Sequence, residues 1–188
     1  MVKTVRPNIL VTKCFRAASS FGRAFPWHGR GDRFDPGAVH MKIKDFRLKI
    51  KSAKSIKIEG KNFKVREVVK FRFDDGNFYI KCFLNDGYVL ADDESNNFYL
   101  LVQETKTNFK QPFAKKINYE GKEFIFLYSA HATAEETFGE EIFKKCESES
   151  FWDYKASDKS YLSLGVIDSK NERLDFYGKI VEVDNVSF

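Results

Sequence analysis

Cysteine is scarce in this chain: Cys14, Cys82 and Cys146 are widely spaced and odd in number. That usage argues against a disulfide framework or a zinc site and favours a reducing compartment, so a cytoplasmic location is expected. No apolar run approaches the roughly 18 residues of a membrane-spanning helix. Three of the 4 prolines (Pro7, Pro26 and Pro36) fall in the first 40 residues, and His131 is the one histidine beyond residue 40. No glycine loop shaped to cradle phosphate is present, nor a HExxH or CxxC motif. Each absence removes a class of chemistry, and together they predict no cofactor, no metal and no enzymatic activity.

Aromatic residues are plentiful at 16%, with 20 Phe, which suits strands around a wide apolar interior. The net charge of +5 is unevenly placed. Residues 1–40 carry 7 Lys/Arg and 2 Asp, so all of the excess lies there. Within the remainder, residues 41–72 hold 12 basic and 3 acidic residues, whereas 73–188 hold 13 and 22. The body is therefore neutral overall and polarised, which weakens nucleic acid as a default partner.

Residues 1–40 differ in kind from the rest of the chain. They are Arg-rich, contain four glycines and hold no acid before Asp32, as a transit peptide does. The plainer reading is an extension ahead of a start at Met41. Either way a poorly ordered leader is expected over 1–40.

A pentapeptide organises the body: Glu59-Gly60-Lys61-Asn62-Phe63 returns as Glu120-Gly121-Lys122-Glu123-Phe124. Glycine supplies the positive φ of a tight turn between strands. Similar segments come after each copy in the same order. Phe78-Tyr79-Ile80 parallels Phe151-Trp152-Asp153-Tyr154, Tyr88-Val89-Leu90 parallels Tyr161-Leu162-Ser163-Leu164, and Asn97-Phe98-Tyr99 parallels Asp175-Phe176-Tyr177. Apolar residues alternate with polar ones over 46–51 and 63–73, which predicts half-buried strands. Asp75-Gly76 and Asp86-Gly87 mark further turns. Between 129 and 150 the signals become helical, with Thr133 and Glu136 at capping-box spacing and Lys144-Lys145 behind them. The expected fold is mainly β. Two tandem antiparallel meanders (about 43–104 and 113–188) pack as a sandwich or half-barrels, with one short helix near 134–146.

Candidate sites are few. Lys64, Arg66, Lys70 and Arg72 form a basic stripe on one strand face, with Tyr79 and Phe83 expected outward on the next strand. Cations beside stacking aromatics are how single-strand-binding barrels grip nucleic acid. The competing reading is a solvated face that balances the acidic second half. Trp152 and Tyr154 share one strand face, either as an anchor for a partner or as core. Cys146 with His131 is the sole Cys–His pair near in sequence, and no oxyanion-hole glycine accompanies it. The paired acids at 74–75, 92–94, 135–136 and 140–141 read as solvated punctuation in hairpin turns or on the first turn of a helix. A non-catalytic module that binds a protein partner or small ligand is the leading expectation. Nucleic-acid binding is the first alternative and a Cys/His enzyme the second.

Ile58-Glu59-Gly60-Lys61-Asn62-Phe63-Lys64-Val65 and the strand 78–84 resemble the bacterial domain of unknown function 4178 family (DUF4178). So do Phe151-Trp152-Asp153-Tyr154-Lys155-Ala156 and Phe176-Tyr177-Gly178-Lys179-Ile180-Val181. The resemblance spans about residues 43–186. It implies a β-rich bacterial module and nothing catalytic.

Overall fold

The computed structural model describes residues 42–188. The expected leader therefore lies outside the described residues. Both Glu-Gly turns form. Ile58 pairs with Lys61 across the first and Tyr119 with Lys122 across the second. The linking residues all have positive φ, 48° and 81° for Glu59 and Gly60, 49° and 73° for Glu120 and Gly121. Two such residues in succession give the twist that joins adjacent antiparallel strands without splaying them.

Each turn launches a long strand. The first links β1 (Ser55–Ile58) to β2 (Lys61–Phe73), and the second links β6 (Lys116–Tyr119) to β7 (Lys122–Gly139). From β2 the chain meanders through β3 (Phe78–Leu84), β4 (Tyr88–Asp93) and β5 (Phe98–Thr105). From β7 it passes through β8 (Ser148–Lys155), β9 (Ser160–Ile167), the short β10 (Glu172–Arg173) and β11 (Asp175–Glu182). Finally β12 (Val186–Ser187) pairs with β1.

The two meanders form neither a sandwich nor a pair of half-barrels. The strand β11 pairs with β5 on one side and β9 on the other, while Ala132–Gly139 of β7 pairs with β2. The order β2-β3-β4-β5-β11-β9-β8-β7 thus returns on itself as one closed, antiparallel, eight-stranded barrel. Strands β1, β6, β10 and β12 lie at its periphery. Two open meanders would each leave exposed rows of backbone N–H and C=O groups, and joining edge to edge satisfies those rows.

Two local expectations are also overturned. The helix near 134–146 is absent: the chain is strand through Gly139, with Ala132 and Ala134 buried against the barrel interior, and turns come next. A ladder with β2, distant in sequence, outweighs local capping signals. Conversely, the strand expected over 46–51 is the helix α1 (Ile43–Lys49) followed by a 3-10 turn. Phe46 and Ile50 satisfy a period of two and a period of 3.6 alike. Leu48 decides between them: it is 77% exposed, whereas Ile43, Phe46, Arg47 and Ile50 are buried together.

Three apolar cores result. Ile43 and Phe46 of α1, with Ile50 of the 3-10 turn, cover the outer wall formed by Ile80, Cys82, Leu84 and Leu90. On the opposite outer wall, Phe109, Phe113 and Ile117 cover Tyr154, Leu162 and Leu164. Between them the barrel interior holds Val69, Phe71, Tyr79, Phe83, Phe143, Phe151 and Phe176.

Candidate functional site

The barrel interior is filled by side chains, among them a charged group that sequence periodicity did not mark. Lys81 of β3 points inward, where its ammonium pairs with Glu149 of β8. Four rings surround it, with centroids at 4.9 Å (Phe71), 5.4 Å (Phe176), 5.8 Å (Phe143) and 5.9 Å (Tyr79). Ring faces are electron-rich, so the cage partly replaces the hydration that the cation gives up. The Tyr79 hydroxyl donates to the same Glu149 carboxylate, and burial raises the Tyr79 pKa well above its usual value.

Beside this group lies Asp153 of β8, wholly buried. Its Oδ2 accepts from the Tyr161 hydroxyl at 2.7 Å. Burial pushes the carboxyl up to about 6, against the opposing influence of the Ser163, Tyr161 and Tyr128 hydroxyls and the Lys81 charge. At the far end Glu67 accepts from the Phe143 amide at 3.0 Å, and Phe143 stacks on Phe83 as a plug. The single charge within Phe78-Tyr79-Ile80-Lys81-Cys82-Phe83-Leu84 was the available sign of an inward lysine. The alternation Glu149-Phe151-Asp153 was the matching sign on β8.

The basic stripe is arranged differently from its expected form. Tyr79 and Phe83 point into the barrel, so the wall separates them from the cations they were to accompany. Lys70 reaches Glu135 at 2.9 Å and Glu136 at 3.2 Å, and Arg72 reaches Glu135 at 2.7 Å. These two cations hold the Glu135 carboxyl down at about 2. Arg66 pairs with Glu140 at 2.8 Å, whereas Lys64 makes no ion pair among the described residues. The acids of β7 thus answer the far half of the stripe. Its near half opens on a surface cleft of about 270 Å3.

Trp152 and Tyr154 face out of the barrel but are covered. Trp152 meets Phe113 edge to face at 5.1 Å, and the Tyr154 hydroxyl donates to the Ala114 carbonyl at 3.0 Å. Tyr154 is core beneath the 106–115 segment, and Trp152 packs half-buried against that core. His131 lies between two carboxylates, Asp74 at 3.0 Å and Asp168 at 3.2 Å. Cys146 sits instead at the level of Ala134, whose carbonyl accepts its amide, three residues or about 10 Å further along the strand. Among the described residues, no cluster of His, Cys, Asp and Glu is placed to hold a metal ion. No described helix is long and apolar enough to cross a membrane.

Exposed apolar side chains gather on β7, where Ile125 is 51% and Leu127 46% exposed, while Tyr128 turns its ring onto Phe151 and its hydroxyl toward Asp153. They coincide with a gap in the sheet. The pairing of β7 with β6 ends at Ile125, and its pairing with β2 begins at Ala132. The Phe126 amide still donates to the Lys115 carbonyl at 2.9 Å, and over 127–131 that edge of the strand has no ladder partner among the described residues.

A family model, described as a domain of unknown function (DUF4178), matches residues 52–182. No curated protein and no solved structure matches the chain.

Proposed function

This chain belongs to the DUF4178 family, and on that premise we propose that it is a non-catalytic binding module that receives a protein partner at the β7 gap. The observation that carries this reading is an unpaired strand edge over 127–131 among the described residues, with the exposed side chains of Leu127 on it and Ile125 beside it. Unpaired backbone groups offer a partner main-chain hydrogen bonds, and apolar side chains on the same segment supply burial; this is the chemistry of strand addition. The matching partner is a short extended segment with apolar residues at alternate positions. The packed barrel interior supports the same reading, because side chains fill it and leave recognition to the outer wall.

The test is site-specific photocrosslinking in cells from a benzoylphenylalanine at Leu127, with Glu172 as the control site. A discrete adduct from position 127, absent from 172 and lost on Ile125→Glu, followed by binding of the purified partner, is the expected result. Equal labelling from both sites ends the reading. Turnover of any substrate abolished by His131→Ala or Cys146→Ala would overturn its non-catalytic part.

A further inference from the structure

The surface cleft lies where the 3-10 turn after α1 meets the start of β2 and the end of β7. Lys51, Lys54, Lys64, Arg66, Phe138 and Gly139 are among the residues that line it. Its floor is stiff, because β7 presses onto β2 there: a Cβ on Gly139 would stand 2.2 Å from the Arg66 carbonyl oxygen. Two of the four cations are engaged, Lys51 with Glu136 at 2.9 Å and Arg66 with Glu140 at 2.8 Å. Lys54 and Lys64 make no ion pair among the described residues. Four cations against those two glutamates leave the cleft at +2 in a body whose Lys, Arg, Asp and Glu sum to zero. One aromatic ring completes it: Phe138 is 37% exposed, with the Lys51 ammonium 5.1 Å from its centroid.

We propose that this cleft binds a nucleotide phosphate, with the phosphate between Lys54, Lys64 and Arg66 and the base against Phe138. Lysines without an ion pair attract a phosphate group, the Arg66 charge beside them adds to that attraction, and any base can stack on a phenyl ring. A net charge of +2 matches a phosphate monoester dianion. A volume of about 270 Å3 accommodates one nucleotide unit and not several. That unit is supplied either as a free mononucleotide or as one residue of a single strand. The proposal goes beyond partner binding at the β7 gap and does not depend on it.

Binding of AMP, inorganic phosphate and an oligo-dT strand to the full chain at low salt tests it by calorimetry or fluorescence anisotropy. AMP should bind, inorganic phosphate about tenfold more weakly, and Phe138→Ala should weaken AMP by about tenfold through loss of stacking. The exposed double change Lys54→Glu/Lys64→Glu should abolish binding with the melting curve unchanged, and Leu127→Glu should leave it intact. Oligo-dT that displaces AMP and binds more tightly assigns the site to a strand; AMP binding without displacement assigns it to free nucleotide. No binding of either probe, or binding that survives both cleft variants, overturns the proposal.

Discussion

The ammonium of Lys81 and the carboxylate of Glu149 meet inside the barrel, 68 residues apart in the chain. Removing one member of a buried ion pair strands its partner in a low dielectric, which typically costs about 3–5 kcal/mol. Glu149→Ala should fall in that range by urea denaturation. Replacing both partners together, as Lys81→Met/Glu149→Leu, should cost far less, since matched apolar groups fill the space without any charge to desolvate. An additive double mutant would show that the two do not interact.

Asp153 should give stability a pH dependence of unusual sign. Its carboxyl titrates near 6 when folded, against about 3.9 in an unfolded chain. Between those values the folded state holds the extra proton, so this group's contribution declines as pH rises from about 4 to 6 and then levels off. The full effect is about 3 kcal/mol. Asp92, also raised to about 6 by burial, acts in the same window. Glu135 acts oppositely and at lower pH, because its depressed carboxyl forfeits stability as pH falls from its usual range toward about 2. Solvent screening keeps that contribution small. Asp153→Asn should therefore gain on the parent protein between pH 4 and 6.5. Parallel stability curves at both ends of that range would refute the assignment.

Arg47 pins α1 to the barrel wall. Its guanidinium donates to Asp92 at 2.5 Å, Glu94 at 2.5 Å and the Phe78 carbonyl at 3.0 Å, and it lies 4.3 Å from the Phe78 ring centroid. Arg47→Ala should cost about 3 kcal/mol, chiefly by leaving Asp92 buried without its partner. Leu48→Lys, on the exposed side of the same helix, should change stability by no more than about 0.5 kcal/mol. A reversed ranking in thermal melts would favour a strand over this segment.

Gly178 marks the tightest approach between β11 and β5. A Cβ there would stand 2.1 Å from the Leu101 carbonyl oxygen and 2.6 Å from the Val102 Cα. Backbone must move to admit it, so Gly178→Ala should cost about 3 kcal/mol or more. Gly60→Ala meets open space and suffers only its positive φ, a strain of about 1–2 kcal/mol. Paired denaturation curves separate the two.

The succession of strands within each half was legible from residue 61 onward because side chains alternate and turns are local. The Glu-Gly turns announced themselves, and the segments after each copy occupy corresponding places: Phe78 and Phe151 in β3 and β8, Tyr88 and Tyr161 in β4 and β9, Tyr99 and Tyr177 in β5 and β11. Closure was not legible, because nothing near residues 67–73 says that 132–139 will lie beside them. The helical reading of 134–146 failed for that reason. Capping residues carry local information only, and Glu135 and Glu136 were there to meet Lys70 and Arg72 across a seam. Lys81 and Asp153 escaped notice because an eight-stranded wall is buried on both faces wherever outer elements cover it, so polar residues on the second face resemble solvent-facing ones.

The place of β11 between β5 and β9 makes it the keystone of the ring. Every preceding strand of the wall can be synthesised and still present two raw margins, so the barrel cannot seal until residue 182 is available. Until β11 is in place the other seven strands form an unclosed curl whose free margins are β5 and β9.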